Sequence, residues 1–361
     1  MMRTATLTSL AMIALSTAAG VAACGSEGGS GVGTSSSGST STSGGFVGAD
    51  GGAGGTNFDA CGTTRKKAEK VPVDMIIGLD TSFSMDFDSK WPNVRDALKA
   101  FVSNPAYADL GLGLQFFPLR KQCSVPDYES PAVPLALQPQ AAAPIFTALD
   151  GQQMFGGTPM VPLLQGLRNY LVANAKPTRK PVIVLTTDGI PDLPADTCPG
   201  GQLPNTLENA VAVAGEAFRG SPSITTFVIG VGGELNALDA IAAAGGTKAA
   251  TLVDTGESAQ QAILTALDNI RRQSIPCDYD IPPGTIDPKS TNVTYTSSSV
   301  VKPLVFVGNE ESCAKSGDGW YFDDEAAPKK VILCNSLCET VKKDDLGSID
   351  LVFGCPRVEI K

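Results

Sequence analysis

The segment VDMIIGLDTSFS, residues 73–84, decides the fold of this chain. From Val73 to Leu79 it is apolar at nearly every position, and the run ends at Asp80. Such a run predicts a strand that is buried on both faces of a parallel sheet. Residues 182–185 and 224–231 have the same character, and segments with helical periodicity alternate with these runs. We therefore expect an α/β fold with a Rossmann-like, doubly wound and mostly parallel sheet.

Three helices are indicated by apolar residues that recur at spacings of three and four. Residues 111–117 and 132–137 contain Pro and Gly and are predicted to form a hairpin at the edge of the sheet. The apolar residues of the three helices are Trp91, Val94, Leu98, Phe101 and Val102; Leu163, Leu164, Leu167, Tyr170 and Leu171; and Ile263, Leu267 and Ile270.

The texture of the sequence changes after Cys277. Short β-type runs separated by turns occur at 292–297, 304–307, 320–322, 331–333 and 349–353. Five cysteines lie in this part of the chain, whose apolar core alone would be marginal. We expect a small, disulfide-stapled β-rich module over residues 276–361.

Composition narrows the possible functions. The formal net charge is −10, which disfavours binding to the phosphate backbone of nucleic acids. The chain contains no histidine, so Ser-His triads and HExxH metalloproteases are excluded. Enzyme mechanisms that use a Ser-Lys pair or two carboxylates need no histidine and are therefore not excluded.

The first residues predict export. Residues 1–23 have a basic start, a short apolar stretch and small residues that lead to Cys24. This pattern resembles a bacterial lipobox, which implies that Cys24 becomes the lipid-modified first residue; the alternative is an ordinary signal peptide with an incidental cysteine. Gly25 follows Cys24 in place of the Asp that retains such lipoproteins in the inner membrane. The resemblance therefore implies an anchor in the outer membrane if the host has two membranes. Residues 24–60 are rich in Gly and Ser and are predicted to be a flexible tether.

Nine cysteines minus a lipidated Cys24 leave an even number, which suits four disulfides in an oxidising compartment. A zinc site is the competing interpretation, but the chain has no second close cysteine pair and no histidine. The disulfide candidates are Cys61, Cys123, Cys198, Cys277, Cys313, Cys334, Cys338 and Cys355.

Three short motifs place oxygen-bearing side chains at the ends of predicted elements. Asp80, Ser82 and Ser84 leave the first strand at two-residue spacing. Thr158 lies in a Gly-Gly-Thr-Pro turn, with Pro159 expected at the first position of a helix. Another predicted buried strand, residues 182–185, is followed by a Thr-Asp-Gly turn that contains Asp188. Each motif alone also fits a turn or a helix cap, but together they point to one site at the carboxyl ends of the strands.

In this combination the motifs resemble the metal ion-dependent adhesion site of the von Willebrand factor type A (vWA) family. The resemblance spans residues 71–272, within a domain that we expect over 61–275. It implies that three hydroxyls approach a divalent cation while two aspartates act partly through water. Ligands that are all oxygen favour Mg²⁺, with Mn²⁺ or Ca²⁺ as alternatives. The implied ligands are Asp80, Ser82, Ser84, Thr158 and Asp188.

Binding, not catalysis, is the function that the resemblance implies. An open position on the cation would accept an Asp or Glu from a protein partner, and the membrane would be contacted only through the lipid anchor. Cys123 and Cys198 lie in the two loops that should flank the site, so we predict that they pair. A structural scaffold with a stabilising metal is the alternative. A phosphoryl-transfer enzyme is less favoured, because Ser82 stands where aspartate-based phosphatases usually have a second Asp.

Overall fold

The computed structural model describes residues 64–68, 72–192, 202–281, 287–344 and 347–358. The strands are β1 (Thr64–Ala68), β2 (Val73–Asp80), β3 (Gly111–Phe117), β4 (Val133–Leu137), β5 (Lys180–Thr187), β6 (Thr225–Val231), β7 (Thr251–Val253), β8 (Asp278–Asp280), β9 (Thr291–Ser297), β10 (Val300–Leu304), β11 (Trp320–Phe322), β12 (Lys330–Leu333) and β13 (Ser348–Phe353). The α-helices are α1 (Lys90–Val102), α2 (Val125–Tyr128), α3 (Ala142–Asp150), α4 (Met160–Ala173), α5 (Leu207–Arg219), α6 (Asp239–Ala244), α7 (Ala259–Ser274), α8 (Glu310–Ser316) and α9 (Asn335–Lys343).

A six-stranded sheet in the order β4-β3-β2-β5-β6-β7 forms the centre of the first part of the structure. Its neighbouring strands are parallel except for β4, which pairs antiparallel with β3 at the edge. Every residue of β2, β3 and β6 is buried, as expected for strands that are covered on both faces. The predicted sheet, including the hairpin at its edge, is confirmed.

Helices cover both faces of this sheet. Residues of α1, α3 and α7 form one apolar layer with one face of the strands. Residues of α4, α5 and α6 form the layer on the other face. The three helices predicted from periodicity correspond to α1, α4 and α7, and their apolar faces point into these two layers. The arrangement confirms the doubly wound α/β class.

The C-terminal part of the chain, from about Cys277 onward, has its own core of aromatic and aliphatic side chains around Trp320 and Tyr279. It contains two small sheets, in the orders β1-β13-β9-β10 and β11-β12-β8. Disulfides join Cys277 to Cys338 and Cys313 to Cys334. The expected disulfide-stapled β-rich module is therefore present, and it also contains α8 and α9, which the sequence reading did not predict.

The strand β1 belongs to the four-stranded sheet of the C-terminal module, because it pairs antiparallel with β13. The segment preceding the vWA-like sheet thus completes a sheet made from the end of the chain. The domain limits 61–275 and 276–361 remain predictions. The strand predicted at 304–307 was misplaced: β10 ends at Leu304, and beyond it only Phe306 makes an isolated bridge, to Trp320.

Several predictions concern residues outside the described ranges: the signal sequence, the tether, Cys24, Cys61 and Cys198. Cys123 and Cys355 are disulfide-bonded, but the pairing of Cys123 with Cys198 stays a prediction. Across the described ranges, no helix has both the length and the apolar character required to cross a bilayer.

Asp268 and Arg272 connect α7 to neighbouring elements. The Tyr107 hydroxyl donates to Asp268 Oδ1 at 2.6 Å, and Arg272 Nε donates to Oδ2 at 2.8 Å. Arg272 also donates to the Lys343 carbonyl oxygen at 2.7 Å, which ties α7 to the end of α9. Burial alone would raise the pKa of Asp268, but these hydrogen bonds and the charges of Arg271 and Arg272 outweigh it and hold the pKa below 3.8.

Asp268→Asn should therefore lower the free energy of unfolding at pH 7 by roughly 1–3 kcal/mol, and with it the melting temperature. A depressed pKa in the folded state stabilises the fold above the unfolded pKa, and this contribution disappears as the pH falls through the folded value. The difference from wild type should shrink below about pH 4. Thermal melts across pH measure it, with Asp150→Asn as an exposed-carboxylate control. A difference that stays constant down to pH 3 would contradict this assignment.

Candidate metal centre

Three loops meet at the carboxyl edge of the sheet. The parallel pairing of β2 with β5 puts the end of β2, at Asp80, beside the end of β5, at Thr187. Phe83 N donates to the Gly156 carbonyl oxygen at 3.2 Å, which joins the first loop to the turn before α4. Thr158 N donates to the Asp192 carbonyl oxygen at 2.7 Å, which joins that turn to the loop after β5. Backbone hydrogen bonds thus fix the three loops relative to one another.

Four of the five predicted ligands form one chain of hydrogen bonds. Asp80 Oδ1 accepts from Ser82 N at 2.8 Å, and Asp80 Oδ2 accepts from Thr187 Oγ1 at 2.6 Å. The Ser82 and Ser84 hydroxyl oxygens lie 3.1 Å apart. Ser84 Oγ donates to Asp188 Oδ1 at 2.8 Å. Residues more than a hundred positions apart in sequence are therefore in direct contact.

Thr158, the fifth, lies alongside the Thr-Asp-Gly turn. A Cβ placed on Gly189 would be 3.6 Å from Thr158 Oγ1. The expected position of Pro159 was wrong by one residue: α4 begins at Met160, Pro159 is the N-cap, and no side chain caps this helix. Thr158 is therefore not the cap of α4, and the helix does not engage its hydroxyl.

The donor set fits a hard divalent cation. Ser84 Oγ directs its hydrogen at a carboxylate, which leaves oxygen lone pairs for a cation. Within the described ranges, no group of three or more His, Cys, Asp or Glu side chains is arranged so that it could hold a metal ion by itself. A metal at this site would thus be held by hydroxyl oxygens and two carboxylates, a set suited to Mg²⁺ and poorly suited to softer metals.

Asp80 is fully buried, with 0% exposure. Burial raises its pKa from 3.8 to about 7, although hydrogen bonds from Thr187 and Ser82 act in the opposite direction. The negative charge of Asp188 adds to the rise. A nearby divalent cation would favour the ionised carboxylate and so offset the cost of its burial.

The sequence reading missed three residues that shape the site. Thr187 precedes Asp188 within the motif itself, so its position was a usable signal. Asn205 donates to the Thr158 carbonyl oxygen and accepts from Val161 N, at 2.9 and 3.0 Å, and its sequence surroundings gave no signal. Lys90 Nζ donates to Asp188 Oδ2 at 2.8 Å. A basic first residue in a helix is unfavourable locally, and that was a weak signal.

The order of the sheet and the meeting of the three loops agree with the pattern that the sequence resembles. Asp80 ends β2, Thr158 lies just before α4 and Asp188 follows β5, in the sequence order of the vWA pattern. The fold is the doubly wound α/β fold that the resemblance to the vWA family implies. The predicted α/β fold is confirmed, together with the disulfide-stapled module near the end of the chain.

No family profile matches the sequence, and no curated protein matches it. Solved structures similar to the chain include the open conformation of the pilus adhesin SpaC from Lactobacillus rhamnosus GG, at 15% identity and a TM-score of 0.44 over 81% of this chain and 40% of SpaC. The vWF domain of the type V pili tip protein Mfa5 from Porphyromonas gingivalis has 12% identity and a TM-score of 0.42, over 61% of this chain and 99% of that one. A von Willebrand factor type A protein from Catenulispora acidiphila has 12% identity and a TM-score of 0.39, over 81% and 65%.

This chain spans less than half of the SpaC chain. With TM-scores of at most 0.44 and identities of at most 15%, these similarities carry no argument about activity. The functional argument rests on the site at the carboxyl edge of the sheet itself.

Two adjacent threonines provide a matched test of that site. Thr187→Val removes the donor to Asp80 Oδ2 and should destabilise the metal-free protein by roughly 1–3 kcal/mol. Thr186 Oγ1 is buried without a hydrogen-bond partner among the described residues. Thr186→Val should therefore be neutral or stabilising. Denaturant unfolding in EDTA distinguishes the two variants, and equal losses would show that Asp80 does not depend on Thr187.

Proposed function

We propose that the vWA domain binds a protein partner through a divalent cation, and that the chain is not an enzyme. The observation that carries the proposal is the hydrogen-bonded chain from Asp80 to Asp188, with Thr158 beside it. Mg²⁺ would be held by the oxygens of Ser82, Ser84 and Thr158. Asp80 and Asp188 would balance its charge and orient the hydroxyls. A carboxylate from the partner, an Asp or a Glu, would complete the octahedron.

The surface around the site supports a protein as the partner. Phe83 and Phe87 are each 62% exposed and Ile190 is 47% exposed, and all three lie in the loops that carry the motif residues. If these three side chains form one contiguous patch, they are of the kind that marks an interaction surface. The partner would therefore present an acidic side chain with apolar groups beside it.

The location is also a proposal, based on the sequence before the described ranges. Residues 1–23 would be cut off, Cys24 would carry lipid, and residues 24–60 would tether the vWA domain to the cell envelope, at the outer membrane. The cysteines agree with export, because Cys277–Cys338 and Cys313–Cys334 are disulfides. The exposed side chains of Phe83, Phe87 and Ile190 and the cation site would then be accessible to partners outside the cytoplasm.

A phosphoryl-transfer role is not supported by the position of Asp80. Both of its oxygens accept hydrogen bonds, and the side chain is fully buried, so it is not presented to a substrate. The scaffold alternative makes a different prediction from the binding proposal. A metal that only stabilises the fold would raise the melting temperature without changing any association.

Affinity capture with the full chain from detergent-solubilised envelope fractions tests the binding proposal. Capture of a partner should occur in Mg²⁺ and should be lost in EDTA, because the partner carboxylate needs the ion. Asp80→Ala and Ser84→Ala should each reduce it at least about tenfold. Ser103→Ala, which removes an exposed hydroxyl at the end of α1, is the matched control and should leave capture unchanged.

Capture that persists at full strength in EDTA would contradict the cation mechanism. A rise in melting temperature with Mg²⁺ that depends on Ser84, without any Mg²⁺-dependent capture, would favour the scaffold.

A further inference from the structure

Lys90 places a positive charge inside the candidate metal centre. Its Nζ donates to Asp188 Oδ2 at 2.8 Å and to the Ser84 carbonyl oxygen at 3.4 Å. The Lys90 side chain is 14% exposed and that of Asp188 is 0% exposed. This ion pair is largely removed from solvent, so its charges are weakly screened.

Backbone of unusual geometry lies next to this lysine. Asp88 and Ser89, immediately before it, have positive φ angles of 54° and 57°, a conformation that costs energy in residues other than glycine. Gly232, at the end of β6, has a φ of +81°, and a Cβ there would lie 3.2 Å from Lys90 Cε. The aliphatic stem of Lys90 therefore passes through space that a larger residue at Gly232 would narrow.

Local electrostatics would not put a lysine at this position. Lys90 is the first residue of α1, whose first turn has no acidic residue. The amino-terminal end of a helix repels cations, so neither the helix nor its first turn favours a positive charge there. The hydrogen bonds to Asp188 and Ser84 account for the placement of the ammonium group.

We infer that Lys90 sets the cation affinity of the site and makes cation binding depend on an acidic ligand. The inference rests on the proposed cation site. Lys90 already neutralises Asp188, so a divalent cation meets only Asp80 as an unshared negative charge. With the ion bound, three positive charges face two carboxylates, and one positive charge is left in excess. A docked carboxylate removes that excess, so the cation binds weakly alone and more tightly with the partner in place.

Metal titration without any partner tests this inference. Mn²⁺ affinity is measured by isothermal calorimetry on the full chain and on three variants. Lys90→Gln keeps an amide that can donate to Asp188 but removes the charge, and it should bind Mn²⁺ at least about tenfold more tightly than wild type. Lys90→Arg keeps the charge and should stay within about threefold of wild type. Lys99→Gln removes a charge and an ion pair elsewhere on α1, and it should also stay within that range.

The outcomes separate the inference from the proposal beneath it. If wild type binds Mn²⁺ and Lys90→Gln binds it equally or more weakly, Lys90 does not set the affinity. If Lys90→Arg gains as much as Lys90→Gln, the charge is not the cause. If neither wild type nor Lys90→Gln binds Mn²⁺, the proposed cation site itself is wrong. Binding by Lys90→Gln alone would support the inference in its strongest form. Melting temperatures of all variants with excess Mn²⁺ confirm that each is folded.

Discussion

The parallel register of β2 against β5 is the constraint on which the rest of the site depends. Leu79 lies opposite Thr186 in this register, so the two strands end together and Asp80 comes within reach of Thr187. Parallel neighbours align their carboxyl ends, and the open edge of the sheet becomes the place where loops converge. A shift of the register by one residue would turn each side chain of β2 toward the opposite face of the sheet and would separate Asp80 from Thr187.

The buried carboxylate at the end of β2 then determines what can surround it. An ionised group without water needs donors, and here a backbone N–H and the Thr187 hydroxyl supply them. Ser84 supplies a donor to Asp188 in the same way. Hydroxyls whose hydrogens point at carboxylates present their lone pairs outward, so the arrangement that satisfies the anions also prepares a set of oxygen ligands. Lys90 is the counter-charge already present in this arrangement, and it limits how much positive charge the site can accept.

The central part of the fold was predictable because a strand that is buried on both faces is apolar at most successive positions, as β2, β5 and β6 are. The placement of the three motifs at one edge of the sheet was predictable for a related reason: each motif lies at the end of an element whose type is evident from its own residues. The contacts of Lys90 were not predictable, since they depend on how far α1 is turned toward the end of β5. The pairing of β1 with β13 joins the two ends of the described chain, and its polar sequence TRKKA has no strand pattern. The helices α8 and α9 are short, and their sequences lie among β-type runs that dominate the local pattern.

Anomalous diffraction from crystals grown with Mn²⁺ tests the central claim most directly. The account predicts one strong anomalous peak, from an Mn²⁺ ion coordinated by the oxygens of Ser82, Ser84 and Thr158, with Asp80 and Asp188 beside it. A peak elsewhere, or no peak at this edge of the sheet at saturating Mn²⁺, would contradict the claim that these residues form a cation site.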